Sequence, residues 1–417
     1  MILLLITWVK PILCVAGDTI QAGPGPAIAF NEFSRFHLSS IDSQRAVVPK
    51  DAEPGLYNIA TAQDTCFSCL SVFSRWADTL RFVQLSDPHC GYSQRTDSNY
   101  ARAVQLVNLL NPDLVIITGD IAEKGQSPQG LEQYRTFNSI SADFKVAWFV
   151  IPGNHDYYDR WWRNRGLGNY RAMVSPDTDY TFTYDDLALF IMVNTGPDAI
   201  FWDAASFCRG FTRAQLDWMD KQLADSRARL RFVATHGPVV DLDDKDESVK
   251  QGVREFLEIA QKNRVDAVLS GHTHQNRCFG PDLRAFGPTD ARPLAKPLYI
   301  QTTTCAKGPQ QQLGFSYFVA DSTGLLSTPT RAGLQDITID QRFFSDSSKC
   351  AVFVINRTTT AFKKCALYLS MAPGKSYTVV GPGRLQNISP TGLCKVQIPV
   401  LRPGITSISI VPTTARK

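Results

Sequence analysis

Apolar and polar positions give the chain three textures. From residue 80 to about 270, short apolar runs alternate with stretches of helical spacing. Residues 81–85, 114–117, 146–151, 231–234 and 266–269 are nearly continuous apolar runs, the pattern of strands buried on both faces. Between them, 97–110, 130–140, 212–224 and 248–262 repeat apolar residues at three- and four-residue spacing. That spacing predicts helices, with Asp97 or Ser98 capping the first and Thr212 the third. Strands alternating with helices predict a layered α/β domain. Residues 180–183 and 187–193 flank Asp185 and Asp186 and predict a hairpin, so the sheet is expected to be mixed.

On either side of this region the helical periodicity is missing. Residues 51–59 read as a turn and a strand, and 66–73 as the next strand, which predicts an N-terminal β-sandwich over 1–78. Past about 330, residues 351–355, 366–369, 376–380 and 405–411 are short β-prone runs between Gly, Pro and Asn turns. They predict a C-terminal β module over 338–417, leaving 79–337 as the α/β domain. A chain of 417 residues exceeds one typical core, in keeping with such a division.

Composition narrows the function only slightly. A net charge of +4 with no basic run or stripe gives no signal for nucleic-acid binding. Ten cysteines are too few for a disulfide scaffold in a chain of this length. Cys66 and Cys69 sit three apart on a predicted strand and are expected to face opposite sides, as packing residues rather than a pair. No second cysteine pair completes a zinc site. Cys350, Cys365 and Cys394 could include one disulfide if the protein is exported. Residues 1–9 are apolar but too few to span a bilayer, where about 20 are needed. They also lack the basic start of a signal peptide, and read as a degenerate export signal or a first strand. Asn356 and Asn387 head glycosylation tripeptides by pattern alone, so the compartment stays open. Nothing in the sequence speaks to oligomeric state.

The chemistry lies at the strand ends. The first apolar run is followed by Asp87-Pro88-His89, the second by Gly119-Asp120 and the third by Gly153-Asn154-His155-Asp156. The run at Phe232 leads to His236, and the one at Val268 to Gly271-His272-Thr273-His274. Of six histidines, every one but His37 follows a strand, and His37 is expected at the surface. Open α/β sheets bind ligands at the carboxyl ends of their strands. Two divalent ions about 3.5–4 Å apart can share a hydroxide and clamp a phosphoryl group. Such a pair needs a carboxylate that reaches both ions, for which Asp120 is placed, and neutral or anionic donors on each. Gly119, Gly153 and Gly271 let backbone pass close to the ions.

Together, Asp87-x-His89, Gly119-Asp120, Gly153-Asn154-His155-Asp156, His236 and Gly271-His272-Thr273-His274 resemble, in order, the calcineurin-like metallophosphoesterases. The likeness covers about 80–325. It implies a four-layer α/β/β/α core, with Asp87, His89 and His274 on one metal and Asn154, His236 and His272 on the other. Asp120 would bridge them, and the metals would be two divalent ions drawn from manganese, zinc or iron. It makes His155 the group that protonates the leaving oxygen or stabilises the transition state, with Asp156 orienting it. The activity implied is phosphoester hydrolysis by a bridging hydroxide, with phosphodiesters favoured and a phosphomonoesterase or nuclease as the alternatives. The Gly-Asn-His-Asp form is similar to class III cyclic-nucleotide phosphodiesterases, so the substrate could be a nucleotide. Residues 52–57 before the catalytic domain are similar to the β-sandwich fused to some prokaryotic members. Purple acid phosphatases carry a metal-binding Tyr three residues after the bridging Asp; here that position is Glu123.

Two further readings belong beside this one. Tyr157, Tyr158, Trp161 and Trp162 are interleaved with Arg160, Arg163 and Arg165. Aromatic faces there could stack on a base while Arg160 binds a phosphate, or the loop could pack its own aromatics with the arginines in solvent. A non-catalytic scaffold that binds a surface or partner through its β modules is the alternative of another class. Such a lineage would be expected to lose ligands, and none is lost here.

Overall fold

The computed structural model describes residues 10–22, 25–62, 64–196, 210–242, 248–287, 295–343 and 349–413. The apolar residues 1–9 lie outside the described residues. Two six-stranded sheets form the centre. In the first, Ala147–Ile151, Leu114–Thr118 and Thr79–Leu85 run parallel, and Gly314–Asp321 joins antiparallel to the last of them. The short strands Gly324–Leu325 and Thr330–Gly333 both pair with Gly314–Asp321. In the second sheet the order is Tyr180–Tyr184, Ala188–Met192, Leu230–Ala234, Ala267–Ser270, Leu298–Gln301 and Arg277–Phe279. Its four middle strands are parallel, and the predicted hairpin supplies an antiparallel edge.

Side-chain alternation explains how these sheets bury themselves. Phe190, Phe232 and Leu269 of the second sheet share one core with the first sheet, whereas Ile191, Val233 and Val268 point the other way. There they meet Leu216, Met219 and Leu223 of the helix Arg213–Asp225, and Phe256 and Ala260 of the helix Val253–Lys262. Between the sheets lies a band of phenylalanines. Phe82 stacks on Phe318 at 4.4 Å between ring centroids and meets Phe190 and Phe232 edge-on at 5.4 and 5.1 Å. Edge-to-face aromatic pairs add about 0.5–1.5 kcal/mol each beyond their buried area.

Several helix boundaries depart from their periodicity. The first helix is Gln94–Leu110, and its cap is Ser93, which accepts from the Thr96 N–H at 3.2 Å, rather than Asp97 or Ser98. Thr212 caps its helix as expected, in a reciprocal box with Gln215. The helix expected from 248 starts only at Val253, because Gly252 holds a left-handed backbone with φ 70°.

Seven strands at the N-terminus, from Ile12–Val15 to Thr65–Phe73, form one sheet with its own core, including Ile20, Leu38, Tyr57 and Leu70. In the last of these strands Ser68 adopts φ 51°, which interrupts the alternation on which opposite facing of Cys66 and Cys69 rested. The Cys69 thiol turns back to the Cys66 carbonyl at 3.2 Å, and both thiols are free. Cys350, Cys365 and Cys394 are likewise free and buried, so none of them supplies the suggested disulfide. His37 is exposed, as expected. Asn356 is buried with its amide on the Thr360 carbonyl, which removes it as an accessible glycosylation acceptor.

The C-terminal strands build a four-stranded and a three-stranded sheet. Their apolar residues belong to the same continuous core as the central domain, which runs from Leu80 to Ile410. Polar contacts reinforce the joint: Arg81 donates to the Lys363 carbonyl at 2.9 Å and Arg102 to the Ile337 carbonyl at 2.7 Å. Tyr317 meets Phe362 edge-on at 5.1 Å. Deleting 338–417 therefore removes part of the central core itself, while deleting 1–78 takes away only side chains packed against it, such as Phe73 and Trp76 on Tyr184. The first deletion is expected to give insoluble or unfolded protein and the second a folded one, as read by soluble yield and circular dichroism.

Candidate metal centre

The parallel strands of both sheets end at one edge, and each hands over to a tight turn. Asp87 and His89 follow Thr79–Leu85, Asp120 follows Leu114–Thr118, and Asn154 and His155 open the short helical turn Asn154–Tyr157 after Ala147–Ile151. His236 follows Leu230–Ala234, and His272 and His274 follow Ala267–Ser270. Asp87, His89, Asp120, His272 and His274 all take left-handed backbone, with φ of 54°, 44°, 54°, 70° and 54°. Non-glycine residues rarely do this, and such conformations persist where surrounding structure over-determines them. Here the loops hold one another: the Asp87 N–H donates to Gly119 O at 3.1 Å, His89 N–H to Asp120 O at 2.9 Å, and Gly271 N–H to His236 O at 3.0 Å. A Cβ at Gly153 would strike the Asp120 carboxylate, so glycine is required at that approach.

Two clusters of donors result. In one, His89 Nε2 and His274 Nε2 are 3.3 Å apart, and His274 Nε2 is 3.3 Å from Asp87 Oδ1. In the other, His236 Nε2 is 2.9 Å from Asn154 Oδ1 and 3.2 Å from His272 Nδ1, which lies 3.1 Å from the same Asn154 oxygen. Asp120 stands between them, Oδ1 3.2 Å from His236 Nε2 and Oδ2 3.5 Å from His89 Nε2. Donors bound at about 2.1 Å around one ion, at tetrahedral or octahedral angles, lie about 3.0–3.4 Å apart. The spacings would suit a set of metal ligands.

The charges agree with the spacing. Asp87 Oδ1 is buried without a hydrogen bond and faces a histidine nitrogen, two acceptors that call for a cation between them. Burial opposes protonation of His236, yet Asp120 and then Asp87 push its imidazole up to about 10. A dication at Nε2 would meet the same demand for positive charge. Burial first, with the charges of His155 and Lys307 adding to it, takes His89 the other way, to about 4, despite Glu123 and Asp120 beside it, which leaves its Nε2 lone pair available. Asp156 is raised to about 6, first by burial and then by the charge on Asp120. Carboxylates at this edge repel one another until cations join them.

The comparisons with known proteins agree with the site. Residues 80–276 match the family model described as calcineurin-like phosphoesterase. The chain carries a calcineurin-like phosphoesterase domain. Over those residues it is a metallophosphoesterase, a domain of hydrolases acting on phosphoesters, and the chain joins this α/β fold to additional β-rich regions. A probable cyclic nucleotide phosphodiesterase of Vesicomyosocius okutanii subsp. Calyptogena okutanii is 23% identical over 258 residues, spanning 60% of this chain and 97% of that protein. Another of Synechococcus sp. is 29% identical over 229 residues, 51% of this chain and 81% of its own. Among solved structures, a purple acid phosphatase from yellow lupin (Lupinus luteus) aligns with a TM-score of 0.47 at 12% identity, over 81% of this chain and 69% of its own.

Around the ligands, the phosphoesterase domain differs from its sequence reading in two respects. Asp156 does not touch the His155 ring. Its carboxylate accepts from the backbone N–H groups of Gly153, Ile121 and Ala122 at 2.8, 3.2 and 3.1 Å and from the Tyr134 hydroxyl at 3.0 Å. It ties the Asp120 loop to the Asn154 loop, while the His155 Nδ1 proton goes to the Glu123 carbonyl at 2.7 Å. Nor does Arg160 reach the ligands through any contact seen here; it is exposed, with its guanidinium 4.8 Å from the centre of the Trp161 ring. Arg163 and Arg165 are engaged by Asp159, each at 3.1 Å. From that loop it is Trp162 that comes beside His155, at 5.1 Å, with the Lys124 ammonium 4.1 Å from its ring centre.

Sequence reasoning assigned no role to Glu123, Lys124 or Lys307, and considered Trp162 only as one of the aromatics that could stack on a base. Glu123 offered one signal, its place three residues after Asp120. Lys307 offered none.

Truncating Asp156 would strand three buried backbone donors, each worth about 1–3 kcal/mol when left unpaired. Asp156→Ala is expected to lower the unfolding midpoint strongly and metal retention with it, whereas Tyr134→Phe costs about 1 kcal/mol. Urea denaturation and metal content after dialysis check both.

Proposed function

We propose that this edge holds a dinuclear centre that hydrolyses phosphodiesters. Asp87, His89 and His274 would hold one divalent ion, Asn154, His236 and His272 the other, and Asp120 both. The observation that carries this reading is that the two Asp120 oxygens face two separate clusters, one toward His236 and one toward His89. Ions bound there would supply Lewis acidity to the phosphoryl oxygens and a water that is nucleophilic near neutral pH. The metals are manganese, zinc or iron in our reading.

The chain's own residues then do the rest. Histidine Nδ1 protons given to carbonyl oxygens fix the tautomers: His236 donates to Thr118 O at 2.7 Å, so its Nε2 faces the centre. His155 is held the same way, with Nε2 3.9 Å from Asp120 Oδ2 and its ring partly exposed. A histidine so placed can give a proton to a leaving oxygen without itself being a ligand. Preference for diesters is supported by the printed names of the two bacterial relatives above, both probable cyclic nucleotide phosphodiesterases.

We also read the two sheets and the helices outside them as a four-layer α/β/β/α domain over 79–337, flanked by β domains at 1–78 and 338–417. Alternation of side chains on the second sheet supports the layering.

Asp120→Asn keeps the size of the side chain and removes the charge shared by the two clusters. Activity is expected to fall to background and metal content from two ions to one or none, as measured by elemental analysis. An Asp120→Asn protein that keeps two ions and normal turnover would refute the dinuclear centre.

His155→Ala separates the proton donor from the ligands beside it. General acid catalysis contributes about 10²–10⁴-fold, and an alkoxide needs far more of it than a nitrophenolate. The variant is expected to lose much more kcat/KM on an alkyl or nucleoside diester than on a nitrophenyl diester, with metal content unchanged. Equal losses on both substrates would leave His155 a positioning role only.

A further inference from the structure

Beside the donor set lies a half-buried ion pair that none of the roles above uses. Glu123 Oε2 is 2.9 Å from the buried His89 Nδ1, in ion-pair range though not aligned as a hydrogen bond, and 2.7 Å from Lys307 Nζ. The backbone oxygen of the same glutamate takes His155 Nδ1. One residue thus faces the outer nitrogens of two imidazoles, its carbonyl on His155 and its carboxylate on His89, with the same carboxylate oxygen 3.7 Å from His155 Nδ1. Lys307 arrives from the loop after Leu298–Gln301, beyond the segment matched by the family. Its N–H donates to Thr304 Oγ1 at 3.0 Å, and Thr304 Oγ1 donates to the Asp87 carbonyl at 2.9 Å. The lysine is therefore anchored to the same turn that carries Asp87.

For His89 to present Nε2 to a metal, its Nδ1 proton needs a fixed acceptor, and carboxylates in this role orient ligand histidines. A carboxylate beside a cation centre could equally swing inward and become a ligand itself. We propose that the Glu123–Lys307 ion pair is a positioning element, which holds His89 with Nε2 toward the centre and keeps the Glu123 carboxylate outside it. The charge-assisted bond to Lys307 fixes the same carboxylate oxygen that faces His89. This inference rests on the dinuclear reading above.

The test is a titration of the metal-stripped full chain with cobalt(II) alone, followed by calorimetry and visible absorption. Wild type is expected to bind in two steps. Glu123→Ala is expected to weaken one step about 10–100-fold and leave the other within about threefold, the usual effect of losing such an outer partner. Lys307→Met is expected to weaken the same step, and Lys307→Arg to restore it. Equal weakening of both steps, weakening of neither, or failure of arginine to restore the step would each overturn the proposal. If Glu123→Ala does not fold, Glu123→Gln, which keeps an acceptor for His89 but no charge for Lys307, is read by the same criteria. A wild-type chain that binds fewer than two ions would overturn the dinuclear reading, and this inference with it.

Discussion

The buried carboxylate of Asp120 constrains everything near it. Taking an ionised carboxylate out of water costs several kcal/mol unless opposite charge and hydrogen bonds replace its hydration. At Asp120 the compensation comes from both sides, with His236 on one oxygen, His89 on the other, and the His155 N–H at 2.9 Å. Burial pushes its carboxyl up, and the neighbouring histidines, His236 first, hold it well below the usual range. A residue so surrounded makes sense where positive charge is to be bound, and the neighbouring donors are spaced for that purpose.

The fold's contribution is alignment. Parallel strands place their carboxyl ends at one edge, and two sheets sharing a phenylalanine-lined core bring two such edges together. Asp87, His89, Asp120 and Asn154 come from the first sheet, and His236, His272 and His274 from the second. The donor set therefore exists only when the sheets are packed. The left-handed turns that aim the side chains are held by bonds between loops, so their backbone strain is stored against the rest of the core.

A second tier of residues sets tautomers and loop spacing without belonging to the ligand clusters. Carbonyls of Thr118 and Glu123 take the outer protons of His236 and His155. Asp156 spends its carboxylate on backbone, which makes it a clamp between two loops rather than a partner of the adjacent imidazole. Adjacency in sequence suggested otherwise. In a short helical turn, neighbouring side chains diverge, and the carboxylate found its donors across the loop.

Much was legible before the fold was known. Buried parallel strands announce themselves as unbroken apolar runs, and residues that follow such runs must emerge at one sheet edge. Asp87, His89, Asp120, Asn154, His236, His272 and His274 could therefore be named from the sequence, and the structure brings them together. Helix starts were less legible, because Ser93 acts through its hydroxyl and Gly252 through its backbone, neither of which periodicity records. Arg160 and Lys307 show the limit most clearly. Composition of the 157–165 loop drew attention to its arginines, but Asp159 claims two of them and Trp161 the third, a matter of which contacts the folded loop can form. Lys307 lies far along the chain from Glu123, in a stretch with no pattern of its own. Its partnership arises only because the strand Leu298–Gln301 runs parallel to Ala267–Ser270 and delivers the following loop to the same edge. The sequence by itself determined which residues could serve the site; packing of the two sheets decided which distant charges would hold them in place.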